Sequence, residues 1–143
     1  GAKGMVLSCE ERPVKNAFIS EDIMQNPYIQ MDGQEVYKFA TRQVPACIHD
    51  ALAKANLTVE DVDLFILHQA NVRIIESVAK RLKADISKFP MNLDKIGNMS
   101  SATVPVLLDE LNRSGKIKKG DRLVLSGFGA GLTYGASILV WGV

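Results

Sequence analysis

Asp63-Leu64-Phe65-Ile66-Leu67-His68-Gln69-Ala70-Asn71 is an apolar run that gives way abruptly to hydrogen-bonding side chains. Its apolar part reads as an interior strand. Its end puts His68, Gln69 and Asn71 at a sheet edge, where ligands commonly meet open α/β sheets. Two further stretches lie at other predicted junctions: the polar Gly97-Asn98-Met99-Ser100-Ser101 and the glycine-rich Gly127-Phe128-Gly129-Ala130-Gly131. If the three junctions share one edge, they make one site.

Upstream of this strand, Val36, Tyr37, Phe39, Ala40, Val44, Ile48, Ala51, Leu52 and Ala55 recur at helical spacing from Gly33 to about Asn56. Pro45 removes one backbone donor and should bend this helix rather than end it. Thr58-Val59-Glu60-Asp61 matches a capping box, predicting a short helical turn that feeds the strand. Downstream, a helix from about Asn71 puts Val72, Ile75, Val78, Ala79 and Leu82 on one face and Arg73, Lys80 and Arg81 toward solvent.

Phe89-Pro90-Met91-Asn92 reads as a weak edge strand. A helix from about Ser100 to Arg113 follows, with Pro105 near its first turn, Leu107 and Leu111 inward and Gly115 as its stop. Lys116 to Asp121 is a solvated turn. Arg122 to Ser126 and Leu132 to Trp141 read as antiparallel strands joined by the glycine-rich turn.

The expected fold is therefore α/β: a mixed, mostly parallel sheet covered by helices, with a C-terminal antiparallel strand pair. At 143 residues the chain is one domain, with residues 32–143 as core and 1–31 as an irregular flap holding one short strand candidate, Met5 to Cys9. The strand count is thin for helices this apolar, which suggests that part of the sheet or a partner surface lies outside the sequence.

Apolar content of 47%, charged content of 23% and a net charge of +1 leave no global field to attract nucleic acid or a membrane. No apolar run reaches the ~18 residues of a membrane span, and the N-terminus lacks the apolar core of a signal peptide, so the expected location is the cytosol. Cys9 and Cys47 have no metal-ligand spacing and read as reduced thiols. Neither is an expected nucleophile, because a catalytic thiolate is commonly stabilised at a helix N-terminus, whereas Cys47 lies mid-helix and Cys9 in a poorly patterned segment.

A histidine at a strand end is by default a satisfied structural residue, and an Asn between Gly97 and a serine-rich helix start is by default a cap or turn residue. Together, His68 and Asn98 supply an imidazole and an amide donor, which is what a developing oxyanion or enolate needs. A metal site is not expected: His49 is far from His68 in sequence and the carboxylates are spread along solvated faces. The Gly127 to Gly131 turn precedes a strand rather than a helix, which argues against a dinucleotide site. It reads either as a tight hairpin needing positive φ or as a backbone amide exposed to an anionic oxygen, and the two are compatible. Arg73 lies one turn from the His68 edge, within reach of a phosphate arriving there.

The order His68-Gln69-Ala70-Asn71, then Gly97-Asn98-Met99-Ser100-Ser101-Ala102-Thr103-Val104-Pro105, then Gly127-Phe128-Gly129-Ala130-Gly131-Leu132-Thr133-Tyr134-Gly135 closely resembles the C-terminal half of β-ketoacyl-acyl-carrier-protein synthase III. The resemblance runs from about Met31 to the C-terminus. It implies one half of a two-half thiolase-like fold, in an enzyme that joins an acyl-CoA primer to malonyl-carrier protein with decarboxylation. His68 and Asn98 would be the enolate-stabilising members of a Cys-His-Asn triad, the Cys belonging to the N-terminal half. The Ala130 backbone amide would serve the second oxyanion hole, at a position that is commonly Gly, and Phe128 would pack beside the triad.

Met31, Gly33 and Tyr37 would line the pantetheine channel, with Asn71 and Ile74 near its mouth. Arg73, Lys80 and Arg81 match basic residues that meet coenzyme A phosphates or the acidic carrier protein. The resemblance further implies no cofactor beyond these thioester substrates, a homodimer, and a preceding strand in the middle of this half's sheet. Alternatives are a non-catalytic carrier-protein-binding subunit and a related polyketide-type synthase.

Overall fold

The computed structural model describes residues 4–9 and 28–142. A short arm comes first: strand β1 (Leu7–Ser8) pairs antiparallel with β2 (Gln30–Met31). Most of the expected flap, residues 10–27, lies outside the described residues. Helix α1 (Gly33–Lys54) then starts on the Asp32 carboxylate, which accepts the N–H groups of Gln34 and Glu35. Pro45 sits inside α1 and the helix continues past it.

Strand β3 (Leu64–Leu67), α2 (Val72–Leu82), the single turn α3 (Leu93–Ile96), α4 (Thr103–Arg113), β4 (Arg122–Gly129) and β5 (Thr133–Val140) complete the order. β3 runs parallel to β4, from Leu64 opposite Leu123 to Leu67 opposite Ser126. β4 and β5 are antiparallel, from Arg122 opposite Val140 to Gly129 opposite Thr133. The sheet is thus mixed, with one parallel and one antiparallel pairing among the described residues.

The apolar run of β3 is uninterrupted because both of its faces are covered. Phe65 and Leu67 pack with Ala40, Val44, Ile48 and Leu52 of α1 and with Ile75, Val78 and Leu82 of α2. Ile66 packs on the opposite face with Leu107 and Leu111 of α4. Helices therefore cover the sheet on both sides, and the C-terminal ends of β3 and β4 lie together at one edge.

Several local expectations change. Thr58 to Asp61 forms a turn and no helix: the Thr58 N–H and Oγ1 both donate to Asp61 Oδ2, at 2.8 Å each. Asp61 thus reaches back to the Thr58 N–H as in a capping box, but no amide hydrogen bond to Thr58 Oγ1 accompanies it and no helix follows. Phe89 to Asn92 forms no strand. Phe89 is instead buried flat against Phe65, ring centroids 4.6 Å apart, at the end of the 3-10 turn Ile86–Lys88.

On α2, Val72 is exposed and Ile74 is buried in its place. The glycine-rich turn is also shorter than expected. Gly127, Phe128 and Gly129 belong to β4, so only Ala130 to Leu132 connect the strands. Finally, β3, β4 and β5 are hydrogen-bonded neighbours with no gap between them. A further strand could therefore add only along an outer edge, and not in the middle of this sheet.

Candidate functional site

The edge formed by the ends of β3 and β4 opens into a cleft of about 920 Å³. His68, Asn98, Phe128, Ala130 and Met31, drawn from all three junctions and the arm, line it together. The remaining wall is mostly apolar, including Leu7, Ile29, Val36 and Val104.

His68 continues the β3 ladder by one residue, its N–H donating to Ser126 O at 2.8 Å. The imidazole packs edge-to-face on the Phe128 ring, centroids 5.2 Å apart. Burial holds the imidazole below its ordinary histidine pKa, opposed in part by a backbone interaction with Ser100. Desolvation penalises the cation, so His68 is neutral at pH 7, with one N–H to donate and one lone pair.

Asn98 follows α3. That helix turn ends on Gly97 with φ 68 and ψ −164, a combination open essentially only to glycine. The chain then reverses through an Asx turn in which Ser100 N–H donates to Asn98 Oδ1 at 2.9 Å. Because the oxygen is held on a backbone donor, the carboxamide NH₂ is the end left for a ligand. Ser100, at φ 53, bears on both groups: its N–H fixes the Asn98 amide, and its backbone favours the His68 cation against burial.

Ala130 lies in the hairpin turn on the cleft wall, its carbonyl accepting from Thr133 Oγ1 at 3.0 Å. Met31 reaches the cleft from β2, whereas Gly33 and Tyr37 are exposed on α1 and do not line it. Asn71 caps α2, its side chain accepting from Arg73 N–H at 2.8 Å, and Ile74 is buried in the core. Neither lines the cleft; Ala70 does. Arg73, Lys80 and Arg81 are exposed on α2.

Cys47 packs from α1 toward Ser126, its thiol pushed up by burial and lying 3.8 Å from Ser126 Oγ. Cys9, exposed at the end of β1, borders the cleft, which the sequence pattern did not foretell. No group of three or more His, Cys, Asp and Glu side chains is arranged to hold a metal among the described residues. Nor is any described helix long and apolar enough to cross a membrane.

Gln69, expected beside His68 at the ligand-facing edge, does not line the cleft: its side chain is fully buried and bonded to Asn92 in both directions. Its only sequence signal was a long polar side chain directly after a core strand.

The fold that carries this cleft is shared with solved structures. The structure superposes on β-ketoacyl-[acyl carrier protein] synthase III of Thermus thermophilus with a TM-score of 0.87 at 37% identity, covering 99% of this chain and 43% of that one. It also matches the priming β-ketosynthase of the R1128 polyketide biosynthetic pathway, with a TM-score of 0.75 at 40% identity over 81% of this chain and 35% of that one. The fold is thus that of a thiolase-like condensing-enzyme half. In sequence, β-ketoacyl-[acyl-carrier-protein] synthase III of Clostridium novyi is 45% identical over 141 residues, 99% of this chain and 44% of that protein. Residues 52–141 match the family model for the C-terminal region of 3-oxoacyl-[acyl-carrier-protein (ACP)] synthase III, and the chain belongs to that family. It spans less than half the length of these relatives.

Proposed function

We propose that this chain is the C-terminal portion of a cytosolic, homodimeric condensing enzyme that initiates fatty-acid synthesis by joining an acyl-CoA primer to malonyl-carrier protein. His68 and Asn98 donate hydrogen bonds to the malonyl thioester oxygen. As the bond to the carboxylate breaks and carbon dioxide leaves, its electron pair is delocalised onto that oxygen as an enolate. The enolate carbon then attacks an acyl thioester, forming the new carbon–carbon bond and expelling a cysteine thiolate. That cysteine is supplied by an N-terminal half outside this sequence, and the Ala130 amide serves the tetrahedral oxyanion of acyl transfer. The exposed Arg73, Lys80 and Arg81 meet coenzyme A phosphates or the acidic carrier protein.

The observation that carries this reading is the Asn98 carboxamide, turned by Ser100 so that its NH₂ is left for a ligand, in the same cleft as a neutral His68. A scaffold that merely bound carrier protein would have no use for two such donors. A polyketide-type synthase is the second reading, favoured by the likeness to the R1128 priming enzyme. Acyl-primer competition between short-chain acyl-CoA and polyketide starters separates the two. For the main reading, the chain is combined with an N-terminal half and assayed for carbon dioxide release from malonyl-carrier protein. His68→Ala should abolish release, and release at the unaltered rate would remove the proposed role.

A further inference from the structure

His68 and Asn98 are thirty positions apart in sequence, on a strand end and on a loop. Donors to one oxygen have to be held within about 0.5 Å of their productive positions, by neighbours that are themselves locked. The lock lies next to each of them. Gln69 follows His68 directly and its side chain is fully buried. Gln69 Nε2 donates to Asn92 Oδ1 at 2.9 Å, and Gln69 Oε1 accepts the Asn92 backbone N–H at 3.0 Å.

Asn92, itself 1% exposed, starts α3: its carbonyl accepts the N–H groups of Lys95 and Ile96. That single turn closes at Gly97, whose N–H donates to Leu93 O, and Asn98 comes next. One short, internally bonded unit thus runs from the Gln69 contact to the proposed donor. A third point fixes it to α4: Asn92 Nδ2 donates to Glu110 Oε2 at 2.8 Å, and Lys95 Nζ lies 3.5 Å from the other carboxylate oxygen.

We propose that Gln69, Asn92 and Glu110 are positioning residues, a hydrogen-bonded chain from the β3 end through the start of α3 to α4 that sets where the Asn98 carboxamide stands relative to the His68 imidazole. The proposal rests on the function argued above. Stability alone does not require this arrangement: a Gln–Asn pair contributes little net free energy over an apolar pair of the same shape. Paired amides, unlike two apolar side chains, admit one register and one orientation, because each donor must face an acceptor.

The test measures malonyl-thioester decarboxylation in the complete two-half enzyme, with rates taken per folded molecule. Gln69→Leu removes both bonds to Asn92 while keeping bulk. A displacement of about 1 Å at a catalytic group costs up to about 100-fold, so kcat should fall about 10- to 100-fold. KM should change by less than about three-fold, because the two donors act mainly on charge that develops in the transition state. A kcat within about two-fold of the parent would overturn the proposal, as would a change confined to KM.

If Gln69→Leu does not fold, the exposed Glu110 carries the same test. Glu110→Leu should lower kcat, and Glu110→Gln, which keeps an acceptor for Asn92 Nδ2, should restore it to within about three-fold of the parent. Equal rates for the two variants would overturn the proposal. His68→Ala is run alongside. Should it decarboxylate like the parent, the functional reading has failed, and the network is judged by exchange of the Ser100 amide, which donates to Asn98. Exchange about ten-fold faster in Gln69→Leu then supports positioning, and unchanged exchange overturns it.

Discussion

Asn98→Asp separates the two jobs of this side chain. The oxygen that accepts from Ser100 N–H at 2.9 Å survives the change, so the Asx turn and its positive-φ serine are kept. What changes is the other end, where an NH₂ donor becomes a carboxylate oxygen. Losing one oxyanion donor typically costs about 100- to 1000-fold in rate. The new charge adds to this, because two unit negative charges about 4 Å apart repel by about 4 kcal/mol at an effective dielectric constant of about 20. Solvent in the open cleft weakens that repulsion, and a neighbouring carboxylate also favours the His68 cation, which makes it a stronger donor.

The donor loss therefore sets the expected fall in carbon dioxide release, about 100- to 1000-fold, with the thermal midpoint within about 4 °C of the parent. Release is measured from malonyl-carrier protein in the two-half enzyme, and the His68 titration by proton NMR. The midpoint of that titration should rise above the parent value, because the added carboxylate favours the cation that burial now disfavours. Release within about five-fold of the parent, or a His68 midpoint that does not move, would refute the claim that these groups share one oxyanion.

The His68 shift also fixes a sign for stability. Its folded pKa lies below the unfolded value of 6.5, so the unfolded state binds more protons as pH falls, and this contribution, full above 6.5, is lost as pH drops through the folded value. In His68→Phe that part of the pH dependence of urea unfolding should vanish; a curve parallel to the parent's would contradict it. Phe89→Ala removes the partner stacked on Phe65 and should cost about 3–5 kcal/mol in the same experiment, with a value below about 1 kcal/mol excluding Phe89 from the core. Reversing Arg73, Lys80 and Arg81 to Glu should raise KM for carrier protein at least about ten-fold at low salt and less at high salt, with kcat unchanged. A KM indifferent to charge and salt would take α2 out of the docking surface.

Much of the architecture was legible because local physics decided it. A fully apolar β3 is what coverage on both faces requires, α2 begins next to Asn71 where the helical spacing begins, and Gly115 at φ 68 ends α4 as a left-handed residue should. The errors share one cause, which is that pattern does not rank competing partners. Val72 and Ile74 flank the apolar stripe of α2 at about 80° on either side of its centre, counting about 100° per residue. Only the tertiary contact shows that Ile74 turns into the core and Val72 into solvent. Phe89 and Pro90 read as a strand beginning, but Phe89 gains more from the face of Phe65 than from a ladder that Pro90 cannot join as a donor.

The same limit applied to the site, with a different outcome for its two shells. His68 and Asn98 were singled out first as polar side chains at two junctions and then by motifs that resemble a known family, and the structure brings both to one cleft. Tyr37, Gly33, Asn71 and Ile74, carried over by the same resemblance, do not line that cleft in this structure. Gln69, inside the leading motif, was read as an edge side chain facing a ligand and is buried instead, because its partner is 23 residues away and nothing local marks Asn92 as an acceptor. A fully buried amide must nonetheless pair both its donor and its acceptor ends or lose about 1–3 kcal/mol for each polar group left unsatisfied. A Gln placed directly after an apolar strand thus carries a demand for a distant partner. Here that demand is met by the residue that begins the turn leading to Asn98, which ties the two donors' loops together through a contact neither donor makes itself.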